Sequence, residues 1–412
     1  MRVALPLTMR FLIAIPALNE ENSIESIIKR SLDARQFLLE NSPVTRVDIT
    51  VVSDGSTDRT VELASKYTDR IRLIVFEKNR GYGSAIKQAW DSTTADLLGF
   101  LDADGTCDPK FFATLCSAVV GQNADLALGC RLNPQTHMPV IRKIGNFLYA
   151  SLLTLLSKRR VRDTASGMRV LTREAYENLL PLPNGLHFTP AMSARALLGP
   201  NGGMKLIEID MPYYEREGRS KLKVMRDGFR FLGIIMQTAL LYHPARLLGI
   251  LGGAFFLLAV GLMFAPVAYY WQTRTVQEWM LYRFILGHLA AMAAFLIFSA
   301  AYLARRIVQI VIEKRSAWPP TDGLDKIIKS PAFWIAPLLL VLAGTALVGS
   351  NLVAHARGHA AYEHWSRFIT MSFFFLVAVI LIITRGLAYF LDLVAVQLEH
   401  LKLRMLTTES RE

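Results

Sequence analysis

The chain has 412 residues, 52% of them hydrophobic, a mean hydropathy of +0.31 and a formal net charge of +12. That length exceeds one small domain, and that hydropathy excludes a wholly soluble protein. The positive charge is no sign of nucleic acid, because basic residues beside membrane spans follow from the positive-inside rule and from anionic headgroups, so no nucleic acid is expected as a partner.

Residues 11–18 form the first apolar run. It contains Pro16, is followed by Glu20 and Glu21 and offers no small-residue cleavage site, so it reads as a buried strand over 11–16 and not as a signal peptide. Ile24, Ile27, Ile28 and Leu32 then recur at helical spacing. Residues 49–52 make a β-branched strand stopped by Ser53-Asp54-Gly55-Ser56; 60–67 reads as helix, 71–76 as strand and 84–90 as helix. A fourth strand over 97–101 ends in Asp102-Ala103-Asp104-Gly105. Unbroken apolar runs of this length suit strands buried on both faces of a parallel sheet. Alternating β and α units predict an α/β, doubly wound sheet with ligands at the carboxyl ends of its strands. The polar clusters at 53–58 and 102–108 both lie at such ends. Cys107, Cys116 and Cys130 form no C-x-x-C pair and read as reduced, structural thiols.

Lys221, Lys223, Arg226 and Arg230 open a basic amphipathic helix, read as lying in the membrane interface. Candidate spans follow at 246–270, 282–304, 332–354 and 368–391, each long enough to cross about 30 Å of hydrocarbon. The expected plan is a catalytic domain over 1–220, the interfacial helix over 221–244, an all-α membrane domain of four transmembrane helices over 245–395 and a tail over 396–412. Arg305, Arg306, Lys314, Arg315, Lys326 and Lys329 lie between the second and third spans, and the other inter-span segments carry few basic residues. This assigns the N-terminal domain, that basic segment and the tail to the cytoplasmic side of a multi-pass protein of the plasma or inner membrane. Trp271, Trp279, Trp318, Trp334 and Trp365 near the span ends read as interfacial anchors. His288 is an intramembrane ionisable group and so a functional candidate. Arg385 and Asp392 read as snorkelling at a span end.

The strongest local signal is Asp102-Ala103-Asp104 at a strand end. A strand-to-loop bend can turn both carboxylates toward one site, and Mg²⁺ is usually held by one or two carboxylates plus substrate phosphates. An ordinary turn would carry the same residues. In the 53–58 cluster Asp54 can accept from a base N–H, while Ser56, Thr57 or Asp58 can equally serve as a helix N-cap. The loop Asn79-Arg80-Gly81-Tyr82-Gly83 before a helix can be an anion cradle or a plain turn.

Taken in order, Pro16-Ala17-Leu18-Asn19-Glu20, Ser53-Asp54-Gly55-Ser56-x-Asp58, Asn79-x-Gly81-x-Gly83-x-Ala85 and Asp102-Ala103-Asp104 resemble the family 2 inverting glycosyltransferases of the GT-A fold. Gly129-Cys130-Arg131, Asp163-Thr164-Ala165-Ser166-Gly167-Met168-Arg169 and Glu215-Arg216-Glu217-Gly218-Arg219-Ser220-Lys221-Leu222 resemble the dolichol-phosphate mannose synthase and polyprenyl-phosphate glycosyltransferase branch. The resemblance covers residues 10–225. It implies a GT-A (Rossmann-like) fold and transfer, with inversion, from a UDP- or GDP-linked sugar to a polyprenyl phosphate at a membrane. Pro16, Asn19, Glu20, Asp54, Gly81 and Asp102 would then bind the nucleotide sugar, and Asp102 and Asp104 would hold Mg²⁺ or Mn²⁺. Asp104, Asp163, Arg131 and Arg169 would form the catalytic set, with Arg216, Ser220 and Lys221 on the acceptor phosphate. Three positions depart from the pattern. Ser53 replaces a common aspartate, Thr106 stands where some mannose synthases have a metal-binding glutamine, and Phe188-Thr189-Pro190-Ala191 lacks an acidic residue after the aromatic.

A phosphate nucleophile is already anionic at neutral pH, so a general base is not obligatory. Asp163 is therefore expected to orient a phosphate-binding cation or the donor sugar. Among rivals, a processive polysaccharide synthase would carry a Q-x-x-R-W motif, which no tryptophan here completes. Transfer to a hydroxyl acceptor remains open. The intact aspartate pair argues against a non-catalytic translocase or scaffold. Oligomeric state is open, a homo-oligomer included.

Overall fold

A computed structural model of the chain describes residues 8–133, 138–214, 224–313, 323–357 and 364–409. It falls into two units, Met1–Ala239 and Leu240–Glu412. The first is an α/β unit in the order β1 (Met9–Ala17), α1 (Ile24–Asn41), β2 (Val44–Ser53), α2 (Thr60–Ser65), β3 (Arg72–Val75), α3 (Tyr82–Asp91), β4 (Leu97–Leu101), α4 (Phe112–Gly121), β5 (Leu126–Cys130), α5 (Val140–Ser157), β6 (Met168–Thr172), α6 (Arg173–Leu179), α7 (Phe188–Leu198) and β7 (Leu206–Asp210). A further helix, α8 (Val224–Tyr242), follows, and the division falls within its last turn.

The strands form one sheet in the order β3-β2-β1-β4-β6-β5-β7. Its centre is as the apolar runs predict. Along β1, Phe11, Ile13, Ile15 and Ala17 face one hydrophobic core while Leu12 and Ala14 face the other. Helix α1 buries Ile24, Ile27, Ile28 and Leu32, the residues of its helical periodicity. The four strands read from the sequence pair in parallel, and the sheet as a whole is mixed: β6, which no apolar run had marked, runs antiparallel to both β4 and β5. This inversion matters for the site. Leu101 pairs with Met168, so the start of β6 lies at the same edge of the sheet as the end of β4. The ends of β1, β2, β5 and β7 reach that edge too.

The second unit contains α9 (Pro244–Thr273), α10 (Leu281–Val311), α11 (Gly323–Lys329), α12 (Ile335–Ala356) and α13 (Trp365–Glu409). Four segments, Pro244–Thr273, Glu278–Val311, Pro331–Gly349 and Trp365–Leu401, are long and apolar enough to cross a membrane. Two of the cations read between the second and third spans are paired inside the unit. Arg306 and Lys329 are buried, bonded to Asp325 and Asp392. Lys329 lies 3.4 Å from Asp325 and 3.1 Å from Asp392; Arg306 pairs with Asp392 and reaches Gln309 at 2.8 Å. The Tyr302 hydroxyl donates to Asp325 at 2.9 Å. Two cations and two anions thus neutralise one another between α10, α11 and α13, so Asp392 is an internal counter-ion and does not snorkel. His288 stacks edge-on against Phe373 with ring centroids 5.6 Å apart.

Candidate active site

The shared sheet edge opens into a cleft of about 510 Å³ lined by residues that follow β1, β2, β4 and β5 and by residues of α5 and α8, within the range common for ligand sites. At its centre are Asp102 and Asp104, on the turn that ends β4. Asp104 is buried and accepts from the Thr106 backbone N–H at 3.2 Å and the Thr106 hydroxyl at 2.6 Å. Thr106, where a glutamine was the family alternative, therefore steadies a carboxylate. The Asp102 Oδ1 accepts from the Tyr82 hydroxyl at 2.6 Å. Its other oxygen packs on the backbone of Gly167, where a Cβ would come within 2.1 Å of it. That contact exists because antiparallel β6 delivers residue 167 beside the end of β4.

The second cluster does something the motif alone does not reveal. Asp54 is buried, and its Oδ1 accepts from the backbone N–H groups of Arg80 at 2.7 Å and Gly81 at 3.1 Å. Burial raises its pKa, and the two amide bonds pull back against that. Asp54 thus fixes the 79–81 loop while still lining the cleft. Gly81 is required there: its φ is 105°, and a Cβ would meet the Asn184 carbonyl at 2.4 Å. Pro16 and Glu20 line the cleft, whereas Asn19 is not among the lining residues. Asn19 instead ties the β1 loop to the 53–58 turn, accepting from Thr57 N–H at 2.8 Å.

The third group is built on Asp163, which is fully buried. It receives the Arg131 backbone N–H at 3.0 Å, Nε at 2.8 Å and Nη2 at 2.8 Å, a bidentate grip. Burial pushes the Asp163 pKa up, but the charge and hydrogen bonds of Arg131 outweigh it and the net shift is downward. Arg131 lines the cleft and lies over the ring of Tyr213, 5.6 Å from its centroid. The 162–164 loop is held from behind: Glu208 accepts the N–H groups of Arg162 and Asp163, and Asn146 of α5 accepts from Thr164. Arg169 is placed differently from its expected role. It is fully buried and absent from the cleft lining, with Nε, Nη1 and Nη2 donating to Ser166 O, Ser193 Oγ and Thr164 O. Burial lowers its pKa to about 10, so it stays a cation at neutral pH. Its place is beneath the 164–167 loop.

Arg142 on α5 and Arg226 and Arg230 on α8 also line the cleft, as does Tyr82. The sequence read Arg226 and Arg230 as opening an interfacial helix and gave Tyr82 no role; the i, i+4 spacing of those two arginines was the available signal for a shared site. Asp227 between them is buried, 3.8 Å from Arg226 and 3.6 Å from Arg230. Arg216, Ser220 and Lys221 lie outside the described residues. All three cysteines are free and buried, and burial pushes the Cys107 and Cys130 thiols up to about 12 and about 11, so neither is a thiolate at neutral pH.

A mixed α/β sheet with paired aspartates at the end of its central strand, flanked in the sheet by an inverted strand that brings up the facing loop, defines a GT-A domain. Residues 12–180 match the family described as Glycosyl transferase family 2, and the chain carries a domain of that family. Curated relatives include the low-salt glycan biosynthesis hexosyltransferase Agl6 of Haloferax volcanii, 31% identical over 55% of this chain and 53% of that protein. A dolichyl-phosphate hexose transferase of the same organism is 28% identical over 51% of this chain and 85% of its own length. An undecaprenyl-phosphate 4-deoxy-4-formamido-L-arabinose transferase of Photorhabdus laumondii is 29% identical over 61% and 75%. The match thus spans about half the length of Agl6. Among solved structures, glucosyl-3-phosphoglycerate synthase of Mycobacterium tuberculosis, in complex with Mn²⁺, UDP and phosphoglyceric acid, is 20% identical over 56% of this chain and 78% of that one, with a TM-score of 0.46.

Proposed function

We propose that the protein transfers a sugar from a nucleotide diphosphate donor, UDP- or GDP-linked, to the phosphate of a polyprenyl phosphate, with inversion at the anomeric carbon. The observation that carries this reading is the polarity of one cleft: Glu20, Asp54, Asp102 and Asp104 among its lining residues, and Arg131, Arg142, Arg226 and Arg230 with them. Beside the arginines, α5 leaves Val140, Ile141, Ile144, Phe147, Leu148 and Leu155 exposed on one face, an apolar stripe suited to a lipid tail or the bilayer interface. Sequence relatives named as polyprenyl-phosphate transferases agree with the assignment.

The donor set at Asp102 and Asp104 fits a hard divalent cation. Among the described residues no group of three or more His, Cys, Asp or Glu side chains forms a metal cage. Two carboxylates on one turn suit Mg²⁺ or Mn²⁺, which complete their shells with phosphate oxygens and water. Such an ion would offset the charge that develops on the departing diphosphate. The protein's own groups do the rest. Asp54 shapes the 79–81 loop beside the donor, and Arg131 and the α5 and α8 arginines keep two anionic substrates in reach of each other. The acceptor phosphate has a second pKa of about 6 and attacks as an anion. Asp163, locked to Arg131, holds that arginine in place and need not take a proton.

The test is an acceptor comparison. Membranes bearing the full chain are incubated with UDP- and GDP-sugars and either a polyprenyl phosphate or the matching polyprenol. Transfer to the phosphate alone is expected. Equal transfer to the alcohol would refute the reading.

A further inference from the structure

Tyr82 joins the carboxylate pair to the 79–81 loop. It is the first residue of α3, directly after the two backbone N–H groups that Asp54 holds. Its ring sits edge-on between Phe100 and Phe188, with centroids 6.3 Å and 6.4 Å away, so the phenol has little freedom to swing. From this fixed ring the hydroxyl donates to Asp102 Oδ1 at 2.6 Å. On the far side, Gly167 presents bare backbone to Asp102 Oδ2, and any side chain there would collide with it. The Asp102 carboxylate is therefore gripped from two directions, by a phenol on one oxygen and by the backbone at 167 against the other.

We propose that Tyr82 is a positioning residue that holds the Asp102 carboxylate in the orientation from which it takes a divalent cation. This rests on the metal reading given above. An aspartate at the end of a strand has two free torsions, and a metal must freeze both when it binds. A hydrogen bond from a packed ring freezes them beforehand, so less freedom is lost on binding. Partners of ligating carboxylates typically change metal affinity by about 10–100-fold when removed. Tyr82→Phe is the suitable probe, because it keeps the ring between Phe100 and Phe188 and deletes only the donor.

The experiment titrates Mn²⁺ into the full chain in nanodiscs, alone and with UDP or GDP, and follows the free-ion signal by electron paramagnetic resonance. Tyr82→Phe is expected to weaken Mn²⁺ binding by about 10–100-fold with an unchanged melting temperature, and to raise the Mn²⁺ concentration for half-maximal turnover by the same factor. Gly167→Ala, which pushes Asp102 from the opposite side, should weaken binding in the same direction. Tyr82→Phe binding Mn²⁺ as tightly as the unaltered chain would overturn the role of Tyr82 while leaving the metal site standing. If the unaltered chain took up no Mn²⁺ under any condition, or took it up equally after Asp104→Asn, the metal reading itself would fall and this inference with it.

Discussion

Replacing Asp163 with asparagine probes the joint on which the basic side of the cleft depends. The change keeps the shape of the side chain but removes its charge. It also turns an N–H₂ group toward donors in either amide orientation: the Arg131 backbone N–H and Nε at the Oδ2 position, or Arg131 Nη2 and the Ala165 N–H at the Oδ1 position. Asp163 is completely buried and Arg131 is 14% exposed. Breaking a buried pair by removing one partner costs about 3–5 kcal/mol. The partial exposure of Arg131 places this case near the lower end, about 3 kcal/mol, because water can still reach the stranded cation. For a unit of this size such a loss lowers the melting midpoint by about 6–12 °C. A displaced Arg131 should also cost about 100-fold in kcat/KM, the scale of an ångström-level misplacement. The assay pairs thermal melting in detergent with radiolabelled sugar transfer across pH. The pKa of Asp163 lies below the ordinary 3.8 in the folded protein. Its contribution to stability is therefore complete above that value and lost as the pH falls through the lower, folded pKa. Between pH 5 and 8 the difference in stability between the two forms should be flat. Two results would refute the reasoning: an Asp163→Asn variant with unaltered melting and turnover, or a variant that melts normally and loses only a pH-dependent limb of the rate, which would make Asp163 a base.

Asp104→Asn should reduce transfer by about 1,000-fold or more with normal expression and melting, since it removes one of the two carboxylates that offset diphosphate charge; undiminished turnover would remove the metal assignment. Arg226→Ala and Arg230→Ala should each raise KM for the polyprenyl phosphate by about 10-fold, the loss of one charge-assisted contact, with KM for the sugar nucleotide unchanged; a rise confined to the donor would place these arginines at the other substrate. In the second unit, Asp392→Asn should destabilise by about 3–5 kcal/mol, because Arg306 and Lys329 then share Asp325 alone. Replacing all four charged residues with apolar ones of similar volume should be far milder, and melting in detergent distinguishes the two.

The parts of the molecule legible in the sequence were those encoded locally. Buried strands are uninterrupted apolar runs, so β1 to β4 and the polar clusters at their ends could be read directly, and α9, α10, α12 and α13 followed from hydropathy. What could not be read depends on contacts across the chain. Nothing in the five residues of β6 records that the strand is inverted, yet that inversion is why Gly167 faces Asp102. Asp54 was legible as a carboxylate at a strand end, but not as the acceptor for amides 26 and 27 residues later. Arg169 carries the same charge as Arg131 at the end of the neighbouring strand; only packing shows that one is sealed under a loop and the other lines the cleft. Arg306 and Lys329 were legible only as members of a basic inter-span segment, because their counter-ion Asp392 is 86 and 63 residues distant.

The most direct test of the account is the chemical structure of the product. Purified protein, a polyprenyl phosphate and the accepted sugar nucleotide would be allowed to react, and the lipid product examined by phosphorus and proton nuclear magnetic resonance. Coupling between the anomeric proton and a single phosphorus, with configuration opposite to that of the donor, is the predicted outcome. A sugar joined through a carbon-bound hydroxyl, or an anomeric centre of unchanged configuration, would contradict attack by the lipid phosphate.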